Sequence, residues 1–453
     1  MSKALFNQFK PVSAKQWKQK IQVDLKGASY NDTLIWTSDE GIDVKPFYHA
    51  DDFEQMPDTS NTEVSKSKIC QTIFADDVTV ANSIALNAIS RGAEAILFIV
   101  PSKEISLENL LANINPEETR FYFEFQFLNP KFLSEIPSQN TFVLTDIIGQ
   151  LAKTGNWFEN LNDDHLQFEK IVKQNHQFSI DISIYQNAGA NMIQQLGYAM
   201  AHASEYLNFL NDKLDNEEKQ NLLPILKVSV GTNYFFEIAK LKAIRKLYSA
   251  IAEVFNCNTS CHILTYPTRR NKTIYDYNIN MLRTTTECMS AVLGGSDAVN
   301  NIAYDAIYHK DNEFGQRIAR NQLLILKNES YFDVVDNPTD GSYYIEKLTS
   351  EISEKALILF KDIEVNGGFL SQLKSGTIQR KIKESALKEQ AKFDDGSLVL
   401  LGTNKYQNPE DLMKDNLELY PFVKANPVKT LIEPIIQKRL AENLEKTRLK
   451  TEE

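Results

Sequence analysis

Short apolar runs recur through the middle of the chain, mostly separated by segments whose hydrophobic positions follow helical spacing. The runs are Ile69 to Phe74, Ala95 to Val100, Arg120 to Phe127, Phe178 to Tyr185, Lys227 to Val230, Cys261 to Tyr266, Ala298 to Ile302 and Asp333 to Val335. Their length and β-branched or aromatic content predict strands. Asp77 to Arg91 has its apolar residues at helical spacing and stops at Gly92. Asn233 to Phe255 and Tyr275 to Leu293 predict longer helices, the second stopping at Gly294-Gly295. Strands alternating with helices imply parallel pairing, and eight of them predict an α/β fold, a TIM (β/α)8 barrel rather than an open doubly wound sheet. Thr141 to Glu159 adds a strand-like piece, punctuated by Gly149 and Gly155, that this count leaves unplaced.

The flanks read differently. Residues 1–68 form an N-terminal arm with an amphipathic helix from Ala14 to Leu25 and a polar, acidic stretch from Asp51 to Lys68; residues 69–340 form the barrel. Residues 341–453 form a helical C-terminal extension that completes the barrel domain. Within it Tyr343 to Asn366 and Leu370 to Phe393 predict charged helices, Leu398 to Leu401 a short strand, and Thr430 to Glu453 a charged helix with Glu442 and Lys446 paired at i, i+4. No internal repeat or low-complexity tract interrupts this order.

Composition narrows the class. A hydrophobic content of 42% over 453 residues is enough for a large core, and 49 basic against 60 acidic residues give a net charge of −11, which argues against a nucleic-acid binder. No apolar run approaches the ~20 residues that span a bilayer, so no membrane segment is expected. Four cysteines are too few for a disulfide scaffold, and the opening Met1-Ser2-Lys3-Ala4 has no apolar signal core, so a reduced cytoplasm is expected. Cys257 and Cys261 lack the second pair or spaced histidines of a zinc site, and no metal is expected.

Candidate chemistry is sparse. The strict alternation of Phe121, Phe123, Phe125 and Phe127 fits the buried face of a strand. The histidines at 49, 165, 176, 202, 262 and 309 are scattered, and only His262 falls in a predicted strand. Arg269, Arg270 and Lys272 follow a barrel strand; they suit a phosphate or CoA-type anion, or else a solvated loop bonded to an acidic partner surface. Ser183 to Asn187 closes the fourth strand, ahead of a long helix expected from Ala188 through Tyr206.

That last segment, Ser183-Ile184-Tyr185-Gln186-Asn187-Ala188-Gly189-Ala190, resembles the methylmalonyl-CoA mutase family, whose catalytic chain has Tyr-His-Met-Gln-Glu-Ala-Gly-Ala at this point. Ile184 takes the place of the histidine. Tyr234 to Lys240 resembles the family's Phe-Phe-x-Glu-Ile-Ala-Lys, Arg317 to Asn321 its Arg-Ile-Ala-Arg-Asn, Asp340 to Glu346 its Gly-Gly-Ser-Tyr-Tyr-Val-Glu, and Gly402 to Tyr406 its Gly-Val-Asn-Lys-Tyr. With the arm segment Trp36 to Tyr48, these ordered blocks resemble the small subunit of a two-chain mutase. The resemblance implies a non-catalytic barrel paired with a large catalytic subunit in a heterodimer that interconverts methylmalonyl-CoA and succinyl-CoA. Adenosylcobalamin would be bound by the partner through Asp-x-His-x-x-Gly, and no cobalamin-binding domain is expected here; the nearest string, Asp163-Asp164-His165, lacks the glycine and reads as a polar loop. No catalytic, cofactor-binding or metal residue is therefore assigned, and a residual ligand pocket would draw on Tyr185, Gln186, Arg269, Arg270 and Lys272. The rival implications are a subunit of another acyl-CoA mutase, such as one acting on isobutyryl-CoA, or a stand-alone barrel that binds a CoA or phosphate ligand.

Overall fold

The computed structural model describes residues 8–55, 64–137, 139–424 and 428–452. In the arm, β1 (Trp36–Thr37) and β2 (Asp43–Val44) pair antiparallel. Eight further strands follow: β3 (Lys68–Phe74), β4 (Ala95–Val100), β5 (Arg120–Phe125), β6 (Thr141–Val143), β7 (Gln177–Asp181), β8 (Leu223–Val230), β9 (His262–Pro267) and β10 (Ala298–Asn300). They form one parallel sheet in the order β6-β5-β4-β3-β10-β9-β8-β7. Its two ends meet: the Ser179 amide donates to Thr145 O at 3.0 Å, while the Gln177 side chain accepts from Val143 N at 3.0 Å and donates to Thr141 O at 3.1 Å. The result is a nearly closed TIM barrel.

Period-two alternation explains how it fills. On β5, Phe121 and Phe123 point outward and stack with Phe98 of β4 beneath helix Val78–Ser90, whereas Tyr122 points inward. Inside the barrel Cys70, Leu97, Tyr122, Ile225 and Leu264 pack with Phe142 and Tyr266. His262 stacks on Phe142 with ring centroids 4.1 Å apart, and its Nε2 lies 2.8 Å from Tyr122 OH. The interior is a packed core, as such barrels require. The same alternation turns Glu124, Asp181 and Lys227 inward one layer nearer the C-terminal mouth.

Several predicted elements shift. Asp333 to Val335 is a loop with Val334 exposed; the eighth strand is the unplaced piece at Thr141–Val143, only three residues long, whose partner β5 rather than its own length makes it a strand. Strand β7 stops at Asp181, whose Oδ1 accepts from both the amide and the hydroxyl of Ser183, turning the chain into a short helix, Ser183–Asn187. The long helix begins only at Met192, after Gly189 takes a φ of +97°, and Asn191 and Gln194 form its capping box. Asp163, Asp164 and His165 lie in helix Leu161–Asn175 and not in a loop; Asp164 is buried and accepts from the amides of Phe158 and Glu159. Leu398 to Leu401 contributes one isolated bridge, and the last predicted helix is confined to Glu442–Leu449 because Pro434 cannot continue a helix. Gly376, at a φ of +76°, divides the segment before it into Phe369–Lys374 and Thr377–Asp394. Part of the acidic stretch from Asp51 to Lys68, and the opening Met1 to Ala4, lie outside the described residues.

Outside the barrel, helices Met192–Leu210, Tyr234–Val254 and Tyr343–Val365 bury apolar faces in one large core. A Cβ at Gly197 would stand 2.7 Å from Leu359, so that glycine sets the approach of the first helix to the third. The arm lies against the same assembly: Trp36 meets Phe236 edge-on at 5.9 Å, and Ile42 is buried in the core.

Candidate functional site at the barrel mouth

In this fold the loops at the C-terminal ends of the strands form the mouth where chemistry is placed. Here the mouth opens on a cavity of about 520 Å³ walled by the loops after β7, β8 and β9 and roofed by Trp36 and Glu40 of the arm and by helix Thr377–Asp394. Burial raises the Glu40 carboxyl above its ordinary value, against the hydrogen bonds it accepts from Ser38 and from the backbone.

The cavity floor is a closed polar network. Glu237 Oε1 accepts from Gly231 N at 2.8 Å and from Gln186 Nε2 at 3.3 Å. The fully buried Lys240 donates to Gln186 Oε1, Gln195 Oε1 and Ser229 O at 3.1, 3.2 and 2.8 Å, and its Nζ lies 2.5 Å from Glu237 Oε2. Burial pulls the Lys240 ammonium below its usual value, with Glu237 opposing. Glu237 and Lys240 sit three apart on a helix, so one turn supplies both charges.

The predicted basic cluster is taken apart by its neighbours. Arg270 Nε reaches Glu389 Oε2 at 2.5 Å, and its NH1 reaches Lys438 O at 2.7 Å. Lys272 is buried with its Nζ 2.7 Å from Glu287 Oε2 and 2.6 Å from Asn271 Oδ1. These two side chains hold the loop after β9 in place and are not solvated. Of the three, Arg269 is the exposed one, and it forms no ion pair among the described residues. Of the five residues predicted for a ligand pocket, Gln186 and Arg270 line the 520 Å³ cavity, while Tyr185 and Lys272 are buried beneath it and Arg269 faces another cleft.

Ile184 is buried and lines a second mouth cavity of about 340 Å³ with Glu124, Asp146, Asp181 and Lys227. Lys227 Nζ bridges Glu124 at 2.8 Å and Asp181 at 3.4 Å. Burial disfavours its ammonium, but the two carboxylates outweigh burial and raise its pKa, and Lys227 in turn holds Glu124 below the usual carboxylate range. Behind this cavity His202 has Nδ1 3.0 Å from Tyr185 OH and Nε2 3.0 Å from Asp146 Oδ1.

The sequence did not single out Asp146, Tyr206, Glu237 or Lys240. A Glu and a Lys three apart near the start of a helix were a readable signal for the last two; the Asp146 to His202 contact joins residues 56 apart and had none.

Three of the histidines are held by their neighbours. His165 has Nδ1 2.7 Å from Leu161 O and its ring edge-on to Trp157 and Phe209; His202 and His262 are buried with the partners given above. Among the described residues no cluster of three or more His, Cys, Asp or Glu is arranged to hold a metal ion, all four cysteines are free and buried, and no helix is long and apolar enough to cross a membrane.

Fold and mouth together define a (β/α)8 barrel whose mouth groups are largely bonded to one another. The sequence profile described as methylmalonyl-CoA mutase matches residues 146–447, and the chain belongs to that family. It is 30% identical to the methylmalonyl-CoA mutase small subunit of Porphyromonas gingivalis, over 99% of this chain and 78% of that one. It is 36% identical to the methylmalonyl-CoA mutase small subunit of Streptomyces virginiae over 45% of this chain and 33% of that one. With the methylmalonyl-CoA mutase of Cereibacter sphaeroides it shares 37% identity over 51% of this chain and 33% of that one, so the match spans about a third of the relative's length.

Proposed function

We propose that this chain is the small, non-catalytic subunit of a heterodimeric, adenosylcobalamin-dependent methylmalonyl-CoA mutase acting in the cytoplasm in propionate metabolism. A large subunit holds the cofactor and the acyl-CoA, and this barrel supports it. The observation that carries the reading is Ile184: a buried aliphatic side chain occupies the place where the family's catalytic chain has a histidine, and its neighbours Glu124 and Asp181 are both bridged by the single ammonium of Lys227. That position carries no imidazole, and the ammonium beside it is shared between two carboxylates. The division into an arm at 1–68, a barrel at 69–340 and an extension at 341–453 suits this role, because helix Ala14–Asp24 buries none of its residues and leaves Trp17 and Val23 exposed for a partner.

Co-expression with a large subunit carrying Asp-x-His-x-x-Gly tests the reading. The expected product is a one-to-one heterodimer that buries more than the ~1,600 Å² of a standard-size interface. It isomerises methylmalonyl-CoA, whereas the isolated chain shows neither a cobalamin spectrum nor turnover. Faster turnover of isobutyryl-CoA by the heterodimer would reassign the substrate. A monomer beside a fully active large-subunit homodimer would remove the supporting role.

A further inference from the structure

A separate cleft of about 320 Å³ lies where the loop after β9 meets the C-terminal segment, on the other side of Arg270 from the mouth cavity. Five basic side chains line it, Arg269, Arg270, Lys424, Lys438 and Arg439, against one carboxylate, Glu442. That balance is the reverse of the chain's net −11.

The five are not equivalent. Arg270 is engaged by Glu389, and Arg439 by Glu445 at 2.6 Å and by the carbonyls of Pro421 and Lys272. Glu442 accepts from the amides of Val423 and Arg439. Arg269, Lys424 and Lys438 form no ion pair among the described residues. Asp311 acts on Arg269 without forming an ion pair, and Lys438 Nζ reaches only Asn443 Oδ1, at 3.5 Å.

Asn187 fixes two walls of the cleft at once. Its Oδ1 accepts from Arg269 N at 2.9 Å and from Thr268 Oγ1 at 2.8 Å, and its carbonyl accepts from Lys438 N at 3.0 Å. Arg269 and Lys438 are therefore carried on backbone held in place before any ligand arrives, which lowers the entropy lost on binding. Three unpaired cations converging on a concave surface match a polyanion, and a guanidinium pairs with phosphate oxygens in bidentate fashion. The remaining wall is apolar and aromatic: Ile307, Leu419 and the exposed ring of Tyr420, which meets Phe422 edge-on at 5.4 Å. A flat ring beside a set of free cations suits a base stacked next to its phosphates.

We propose that this cleft binds a nucleotide carrying two or more phosphates, with the phosphates on Arg269, Lys424 and Lys438 and the base against Tyr420. The site does not depend on the subunit role, because it uses none of the mouth residues that carry that reading.

Isothermal titration of the full chain at low ionic strength with ADP, inorganic pyrophosphate, adenosine and coenzyme A tests it. ADP is expected to bind more tightly than pyrophosphate, and adenosine most weakly. Raising salt from 50 to 200 mM weakens the phosphate-bearing probes. Arg269→Glu replaces an exposed side chain that forms no ion pair among the described residues, so the fold is kept, and lowers ADP affinity by about tenfold or more. Lys170→Glu, an equal charge reversal on the exposed face of helix Leu161–Asn175, leaves it unchanged. Tyr420→Ala weakens ADP but not pyrophosphate. Either order of affinity between ADP and coenzyme A supports the site and says whether the nucleotide is free or part of a coenzyme. Absence of saturable heat with every phosphate-bearing probe at millimolar concentration overturns the proposal, as does an equal loss in Arg269→Glu and Lys170→Glu.

Discussion

His202 Nε2 lies 3.0 Å from Asp146 Oδ1, the oxygen that also accepts from Tyr206 OH at 2.7 Å and from Gly149 N at 2.7 Å. The other Asp146 oxygen accepts from Asp181 N at 2.8 Å. One carboxylate thus caps helix Ile147–Thr154 and stitches the loop after β6 to the end of β7, at the one place where neighbouring barrel strands share no ladder.

Replacing Asp146 by Ala removes the partner of four groups, His202 Nε2, Tyr206 OH, Gly149 N and Asp181 N, and opens that seam. A buried polar group left without its partner typically costs about 1 to 3 kcal/mol, and Asp146→Ala is expected to lower the unfolding free energy by about 3 kcal/mol or more. Urea denaturation measures it. A loss below about 1 kcal/mol would mean that the seam is held by the Gln177 bonds alone.

Acid should destabilise the fold in two stages. Burial lowers the pKa of His262 to about 4, with Asp297 opposing and Arg120 and Arg245 assisting, while Tyr122 OH bonds its ring. Between the unfolded value of ~6.5 and about 4 the unfolded chain holds the extra proton, so stability falls as pH drops through that window, by roughly 3 kcal/mol in all. Below it Asp146 adds a second loss: its carboxyl is held below the ordinary value, so its stabilisation is present above ~3.9 and disappears as pH falls through the folded value. Chemical denaturation from pH 7 to 4 should show the first slope in the parent and a flatter one in His262→Gln. Parallel slopes would show that His262 is not the group responsible.

Gly189 fixes how helix Thr377–Asp394 roofs the mouth. A Cβ there would stand 2.5 Å from Ala386 Cβ and 2.8 Å from Arg270 NH2, on backbone at φ +97°. Gly189→Ala therefore combines left-handed strain with overpacking and should cost about 2 kcal/mol or more. Hydrogen exchange should rise in residues 377–394 more than in the barrel strands. Unchanged exchange there would separate the roof from this contact.

Ile184→His puts an imidazole beside Asp146, Asp181 and Lys227, in a cavity where Lys227 already bridges Glu124 and Asp181. The variant is expected to lose about 1 to 3 kcal/mol of stability. It should stay inactive in a heterodimer whose large subunit has been disabled, since a lone acid contributes only within an assembled site. Isomerisation by that complex would show that this barrel is an active site lacking one group.

How far the sequence reached depended on the range of the information. Alternation along β5 sent Phe121 and Phe123 outward and helical spacing placed Val78–Ser90, because both depend on residues within a few positions of one another. Seven of the eight strands, and the barrel they imply, were legible on those grounds. So was the isoleucine at 184, since a residue's identity needs no fold. Thr141–Val143 and Asp333 to Val335 were indistinguishable by pattern; the first becomes a strand because β5 lies beside it, and the second pairs with no strand among the described residues. The ends of β7 and of the helix after it were set by Ser183 bonding back to Asp181 and by the backbone turn at Gly189. The basic triplet at 269 to 272 looked like one feature in sequence, yet Glu389 and Lys438 from far along the chain, and Glu287 from the next helix, divide it into two structural cations and one that forms no ion pair among the described residues. Local spacing determined which elements form. Only tertiary contact decided which charges are neutralised, because a side chain's partner across the barrel mouth lies tens to hundreds of residues away.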